Sequence, residues 1–324
     1  MTKSEFVDHV AQKSGLEKGQ SGKAVDAVLA VIEELDYRPS SAAQQLAAGR
    51  TRTIGLLIPF FGNMSSFERL RGIMQVLSVD GYDVALADVE TGEQRGREFA
   101  SLTSRSRVDG TIVVSLVPTR HELDLLSRAE VPIVLLDRVQ DGFPYIAIDD
   151  VEGGLLATRH LLALGHRRIG FVGDLPTRHH FTSSADRRRG YRKALAEAGI
   201  GPDDALVAEG PNGREEADRL ADALLSLPDP PTAIFAASDV QALGVIAAAR
   251  RRGLRVPEDL SVIGFDDIEL ASHVGLSTVR QFLPESGEEA ARMLLRLLRG
   301  EEPAEREVLL RLSVVPRAST APRA

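Results

Sequence analysis

The spacing of apolar residues changes near residue 50. Before it they recur at helical intervals: Phe6, Val7, Val10 and Ala11 share one face, and Val25, Val28, Leu29, Ile32 and Leu35 share another. Gly15 closes the first of these helices and Pro39 stops the second. The stretch Ser40-Ser41-Ala42-Ala43-Gln44-Gln45-Leu46-Ala47-Ala48 predicts a short helix with a serine cap, ended by Gly49. Leu46 is its only large apolar side chain, so this helix needs a partner surface to be stable.

From Thr51 onward, short apolar runs alternate with amphipathic segments. The runs Ile54–Ile58, Val84–Ala87, Thr111–Val114, Ile133–Leu136, Ile169–Val172, Thr232–Ala236 and Leu260–Gly264 predict strands. Between them, Phe67–Ser78, Gly153–Leu164, Ala185–Ala198, Arg214–Ser226 and Val240–Arg252 predict helices. Strands apolar on both faces and separated by helices belong to parallel sheets covered on both sides. One sheet of so many strands would be large. The pattern therefore predicts an α/β fold of two doubly wound parallel-sheet lobes with a cleft between them. Glu285–Arg299 and Glu307–Val315 would add a helix and a strand to lobes already built. The expected division is a helical N-terminal segment over 1–38, a hinge helix and linker over 39–51, and a two-lobed domain over 52–324.

Composition narrows the chemistry. The 324 residues are 43% hydrophobic, enough for a large buried core, and include no Cys and no Trp. Without Cys there are no disulfides, thiol nucleophiles, iron–sulfur clusters or common structural zinc sites. A net charge of −8 argues against coating nucleic acid over the whole surface, yet it leaves room for a local DNA-reading segment. No apolar run is long enough for a membrane helix, and MTKSEFVDHV carries acidic residues where a secretion signal needs an apolar stretch. The expectation is a soluble, cytoplasmic protein with no membrane partner. The seven His are scattered, and His179-His180 would point apart in any regular element, so no metal site is expected. No phosphate-binding glycine loop or nucleophile elbow occurs in the required strand-to-helix context, and Asp266-Asp267 lacks a nucleophile or metal set. Neither catalysis nor a cofactor is expected.

Six ordered segments carry a resemblance: Asp36-Tyr37-Arg38-Pro39, AAQQLAAGRTRTIGLLIP, DVEGGLLATRHLLALGHRRIGFVGD, RRRGYRKALAEAGI, AIFAASDVQALGVIAAARRRGLRVPEDLSVIGFDDIELA and RASTAP. Together they make residues 36–324 resemble the LacI/GalR family of bacterial transcription regulators. The resemblance implies a periplasmic-binding-protein-like effector domain, a homodimer, and a ligand that alters the affinity of an N-terminal headpiece for operator DNA. The first residues are atypical. Only 21 residues lie between Gly15 and Tyr37, too few for the family's recognition helix, loop and third helix. Residues 1–32 instead resemble the first two helices of HU-type histone-like proteins. Residues 1–50 carry six basic and seven acidic side chains, whereas a segment that tracks phosphates should be locally basic.

By the same resemblance, Leu46 is a wedge that enters the DNA minor groove when the hinge helix folds there, with Ala43 and Gln44 beside the groove. An ordinary linker helix docked on the effector domain would have the same sequence. The resemblance also assigns ligand-facing positions. Ser65 and Ser66 follow the first strand, where ligands bind in open α/β sheets. Arg187, four residues before Tyr191, would clamp polar groups with its guanidinium fork; alternatively it is one of three solvated arginines. Asp266 ends a predicted strand and faces the ligand or caps the next turn. Ser238 lies in a ligand slot and can also cap the helix near Val240. Glu152 and Asn212 fall on further pocket positions. The polar character of Ser65, Ser66 and Asn212 suggests a small hydroxylated effector, a sugar, rather than a flat base. No heptad repeat follows the terminal motif to suggest a coiled-coil tetramer. The alternative function is a dimeric small-molecule-binding protein without operator-specific DNA binding.

Overall fold

The computed structural model describes residues 2–34, 50–59, 63–89, 92–175 and 182–323, and it divides into two units, one up to Thr51 and one from Arg52 onward. The first unit holds helices α1 (Lys3–Ser14) and α2 (Lys18–Glu34). A capping box starts α1: the Thr2 hydroxyl accepts from the Glu5 amide, and the Glu5 carboxylate accepts from the Thr2 amide. Gly15 ends it at φ 71°, a left-handed conformation open to a residue without Cβ. Val7 and Val25 are the buried apolar side chains of the pair, whereas Val28, Leu29 and Val31 stay exposed. Ion pairs Lys3–Asp26 (2.7 Å) and Lys18–Asp8 (2.5 Å) join the helices. The expected hinge helix, with Ala43, Gln44 and Leu46, lies outside the described residues, as do residues 60–62 and 176–181.

The second unit has two parallel sheets. Lobe 1 is built on β1 (Thr53–Ile58), β2 (Asp83–Asp88), β3 (Gly110–Val114), β4 (Ile133–Leu136), β5 (Tyr145–Ala147) and β11 (Glu307–Leu309), in the order β11-β5-β4-β3-β1-β2. Lobe 2 is built on β6 (Ile169–Asp174), β7 (Val207–Gly210), β8 (Ala233–Ala236) and β9 (Ser261–Ile263), in the order β7-β6-β8-β9. Every pairing within these sheets is parallel. Helices α3 (Met64–Val79), α4 (Gly92–Ser101), α5 (Arg120–Ser127) and α11 (Leu283–Leu298) cover the first sheet; α6 (Asp150–Ala163), α7 (Ser183–Glu197), α8 (Arg214–Leu225) and α9 (Asp239–Arg251) cover the second. Apolar side chains fill both faces of each sheet. In β1, Ile54, Leu56 and Ile58 enter one core and Leu57 the opposite one, as the two-residue period of a strand requires.

The two doubly wound lobes are those that the hydrophobic pattern predicts. The differences lie at the edges. Strands β5, β7 and β10 (Thr278–Arg280), and helices α4, α5 and α10 (Glu269–His273), are too short or too polar to announce themselves by periodicity. The single strand expected over Glu307–Val315 is two: β11 joins the lobe 1 sheet, and β12 (Ser313–Val315) pairs antiparallel with β10 beside lobe 2. The chain thus passes between the lobes after β5, after β10 and between β11 and β12.

Two close helix contacts flank the cleft. In lobe 1, α3 and α11 touch backbone to backbone, and a Cβ on Gly287 would run into the Arg69 carbonyl. In lobe 2, α6 and α7 do the same, and a Cβ on Gly154 would run into the Arg187 carbonyl. Each contact sets the height at which an arginine leaves its helix.

Candidate functional site

Parallel strands point their carboxyl ends at the space between the lobes, and four of the six described non-glycine residues with positive φ follow such ends. Ser115 (φ 51°) ends β3, Asp137 (φ 62°) ends β4, and Asp266 (φ 127°) with Asp267 (φ 59°) follows β9. Non-glycine residues in this region cost of order 1–3 kcal/mol each and persist where their surroundings fix them. Here the surroundings are a network of buried polar side chains.

From lobe 1, the Ser115 hydroxyl donates to Asp137 Oδ2 at 2.7 Å. Arg69, buried on α3, pairs with Asp137 Oδ1 at 2.9 Å and donates to Gln281 Oε1 at 2.8 Å. The Gln281 amide nitrogen donates in turn to Asp266 Oδ1. From lobe 2, Arg187 Nε donates to Asp150 Oδ1 at 2.8 Å, and Nη1 donates to the Ala237 carbonyl at 2.6 Å. Its guanidinium lies 3.7 Å over the Phe265 ring and 3.8 Å from Asp266 Oδ1. Burial pushes Asp150 and Asp266 up to about 6, against the pull of Arg187. Burial also works against the charge of Arg187, yet Asp150 and Asp266 hold its pKa above the ordinary value.

A second chain of contacts meets Asp174 at the end of β6. Its carboxylate accepts from Gln241 Nε2 (2.6 Å) and Asn212 Nδ2 (3.1 Å). Burial raises its pKa, and those two bonds oppose the rise. Ser238 caps α9, accepting from the Gln241 amide at 3.2 Å, so it acts on Asp174 through Gln241. Between the lobes lies a cavity of about 320 Å³, with Ser115 and Asp137 on one wall and Asp150, Ser183 and Asp186 on the other.

None of the seven positions expected from sequence lines this cavity, and they divide by the contacts they make. Arg187 and Asp266 meet at the centre, and Arg187 is 7% exposed, unlike the exposed Arg189. Ser238 and Asn212 belong to the Asp174 chain, Asn212 with an exposed side chain. Ser65 is half-buried in the first turn of α3, and Ser66 is buried with its hydroxyl turned back to the Pro59 carbonyl at 3.5 Å. Glu152 is exposed and does not line the cavity, whose wall takes its neighbours Asp149, Asp150 and Val151. Sequence reasoning missed Ser115, Asp137 and Asp174, although each is the first polar residue at the end of an apolar strand, the same signal that marks Asp266. Arg69, Asp150, Gln241 and Gln281 sit in helices or crossovers with no local signal. Among the described residues no group of His, Asp or Glu could hold a metal ion, and no helix is long and apolar enough to cross a membrane.

The raised pKa of Asp266 gives a pH signature. The folded chain binds this proton more tightly than the unfolded chain, whose carboxyl titrates near 3.8. The contribution of Asp266 to stability therefore grows as pH falls through about 6 and is complete below 3.8. Thermal denaturation at pH 7 and pH 5 should show wild type gaining stability relative to Asp266→Asn on acidification; a difference that stays constant would remove Asp266 from the buried cluster.

Comparison with known proteins bears on what such a cleft does. A family model described as a periplasmic binding protein-like domain matches residues 158–320. The chain is similar to the HTH-type transcriptional regulator DegA of Bacillus subtilis, with 33% identity over 93% of this chain and 90% of that protein. Among solved structures it resembles the lac repressor dimer bound to operator and the anti-inducer ONPF (TM-score 0.77, 27% identity, 88% of this chain and 99% of that one). It also resembles the transcriptional regulator CelR in complex with cellobiose (TM-score 0.73, 29% identity, 97% of this chain and 99% of that one). A match over 97% of the chain takes in most of the N-terminal helical pair.

Proposed function

Because the chain belongs to the LacI/GalR family of transcription regulators, we propose that its cleft takes a sugar and that the occupied cleft sets its affinity for an operator. The chain is a ligand-responsive DNA-binding regulator, and the observation that carries the effector reading is the meeting of Arg187 and Asp266 with Asp150, which lines the cavity between the lobes. Carboxylates accept from ligand hydroxyls, and the guanidinium fork and backbone amides donate to them, so the site matches a polyol on both sides. Cellobiose in the CelR complex is a ligand of that class. The effector acts by population shift, which requires that it bind one lobe arrangement more tightly than the other.

The DNA half of the reading rests on the resemblance of residues 39–51 to a hinge, with Leu46 as the groove wedge and Ala43 and Gln44 beside it, ahead of an effector domain over 52–324. The helices of 1–38 would supply the remaining operator contacts. A second copy completes the regulator. Phe67 and Met74 are exposed on α3, flanking Arg71, and Arg71 reaches Glu269 beside exposed Leu270 on α10 at 3.3 Å. This apolar face runs over both lobes and suits a homodimer, the form of the lac repressor structure. The reading includes a cytoplasmic location and no catalytic step.

Selection of bound sequences from random duplex DNA tests it, with and without mono- and disaccharides. A palindromic site whose affinity falls steeply with salt is the expected outcome. Leu46→Ala should then weaken that site at least tenfold, or about 1.4 kcal/mol, with sugar-induced stabilisation unchanged. Equal operator affinity in both proteins would sink the hinge assignment. Enrichment of nothing, with sugar-induced stabilisation intact, would favour a dimeric binding protein whose first 32 residues serve, HU-like, for pairing.

A further inference from the structure

Among the buried side chains described at the cleft, Arg69 reaches from lobe 1 toward lobe 2. It leaves α3 of lobe 1 only 4% exposed, with Asp137 of its own lobe 2.9 Å away. The same nitrogen donates at 2.8 Å to Gln281, which follows β10 beside lobe 2, and Gln281 donates to Asp266. Gln281 is 2% and Asp266 6% exposed, so each link is shielded from water. Charge-assisted hydrogen bonds in such surroundings are stronger than neutral ones in water. Arg69 Nε is buried and has no partner, so its polar contacts run through the terminal nitrogen that reaches Asp137 and Gln281. Gly287 pressed against the Arg69 carbonyl fixes where this side chain starts. Gln281 lies in the crossover from β10 to α11, so the chain of bonds from Arg69 through Gln281 to Asp266 spans the segment that joins the two lobes.

We propose that Arg69, Gln281 and Asp266 form a latch that holds the lobes together and grips the carboxylate that the effector contacts, so that lobe closure and effector recognition are coupled through Asp266. The coupling rests on the effector reading above; the latch itself does not. The latch sets how often the lobes stand open, and the effector, by engaging Asp266, changes that ratio. An exposed second link, Arg71–Glu269, comes from the same helix, and salt screens it.

The chain has no Cys, so two cysteines introduced at exposed His121 of α5 and Glu215 of α8 take spin labels cleanly. Labelled protein is diluted with unlabelled chain so that each dimer carries one pair. Distances are measured without sugar in about 1 M salt, where the Debye length is about 3 Å and Arg71–Glu269 contributes little. Arg69→Met and Gln281→Leu should each lengthen and broaden the lobe-to-lobe distance, and the double variant should go no further than the larger single one. A purely structural role for Arg69 would lower stability without moving the distance. An unchanged distance in the single variants, or full additivity in the double, overturns the latch. Should Arg69→Met not fold, Gln281→Leu alone decides. Since no sugar is present, this result stands apart from success or failure of the effector reading.

Discussion

Arg187→Leu is expected to lose sugar-induced stabilisation entirely and to unfold about 3–5 kcal/mol more easily than wild type, the usual cost of breaking a buried ion pair from one side. The reason is the company Arg187 keeps. Asp150 and Asp266 are both pushed up to about 6 by burial even with the guanidinium beside them. Without it Asp150 loses its ion-pair partner and Asp266 is left with Arg69 and Gln281 alone, and the folded chain must protonate the carboxylates or admit water. Leucine fills much of the volume and keeps the contact with Phe265, so the loss reports charge and hydrogen bonding more than a cavity. Arg187→Lys separates the two contributions. A lysine restores a positive charge and with it part of the stability. It cannot donate to Asp150 and the Ala237 carbonyl at once while lying flat on Phe265, as the guanidinium does. The lysine variant should therefore recover stability and remain unresponsive to mono- and disaccharides in thermal denaturation. A leucine variant within about 1 kcal/mol of wild type in chemical denaturation would contradict the buried pair. A leucine variant that kept the wild-type sugar response would take Arg187 out of the effector site.

How far this site could be read from the chain alone depends on which forces carry a local signature. Apolar strands do: Ile54–Ile58, Thr111–Val114 and Ile169–Val172 are buried on both faces, and their composition says so without reference to the rest of the fold. Residues that end such strands are legible too, since a parallel sheet sends them to the cleft: that rule agrees with the family resemblance at Asp266 and would have found Ser115, Asp137 and Asp174. Helix-borne site residues are a different case. Arg69 falls in the same helical turn as the exposed Phe67 and the charged Glu68 and Arg71, and nothing in that turn distinguishes the buried arginine from the solvated one. What selects it is the approach of α11 in lobe 1 and the position of Gln281, more than two hundred residues away. Asp150 shows the same limit: a helical period is 100° per residue, so the exposed Glu152 and the ion-paired Asp150 differ by two positions and by the side of the helix they occupy. The break between β11 and β12 was hidden for a similar reason. Glu307–Val315 reads as one extended run, and only the tertiary course of the chain sends its two halves to different sheets.

The helix contact behind Arg187 leads to the second large effect. Gly190→Ala is expected to cost about 3 kcal/mol, the upper end for forcing one extra methyl into a packed interior, and to abolish the sugar response although residue 190 touches no ligand position. A Cβ there would press into the Val151 carbonyl and lie 2.6 Å from the Leu155 nitrogen. Both are backbone atoms of α6, so no side chain can rotate away, and α6 and α7 must separate. Asp150 begins α6 and Arg187 lies one turn before Gly190 on α7; any separation lengthens their 2.8 Å bond. Gly96→Ala provides the contrast. Gly96 is also helical, on α4, but a Cβ there meets nothing within 4 Å. That substitution should gain about 0.5–1 kcal/mol, because alanine restricts the unfolded chain more than glycine does. Chemical denaturation of the two variants beside wild type therefore has a signed outcome. Opposite shifts, with the sugar response lost only in Gly190→Ala, tie the effector site to the packing of α6 on α7. If Gly190→Ala were as stable as Gly96→Ala, the backbone contact that places Arg187 over Phe265 would have to be abandoned, and with it the geometry of the site.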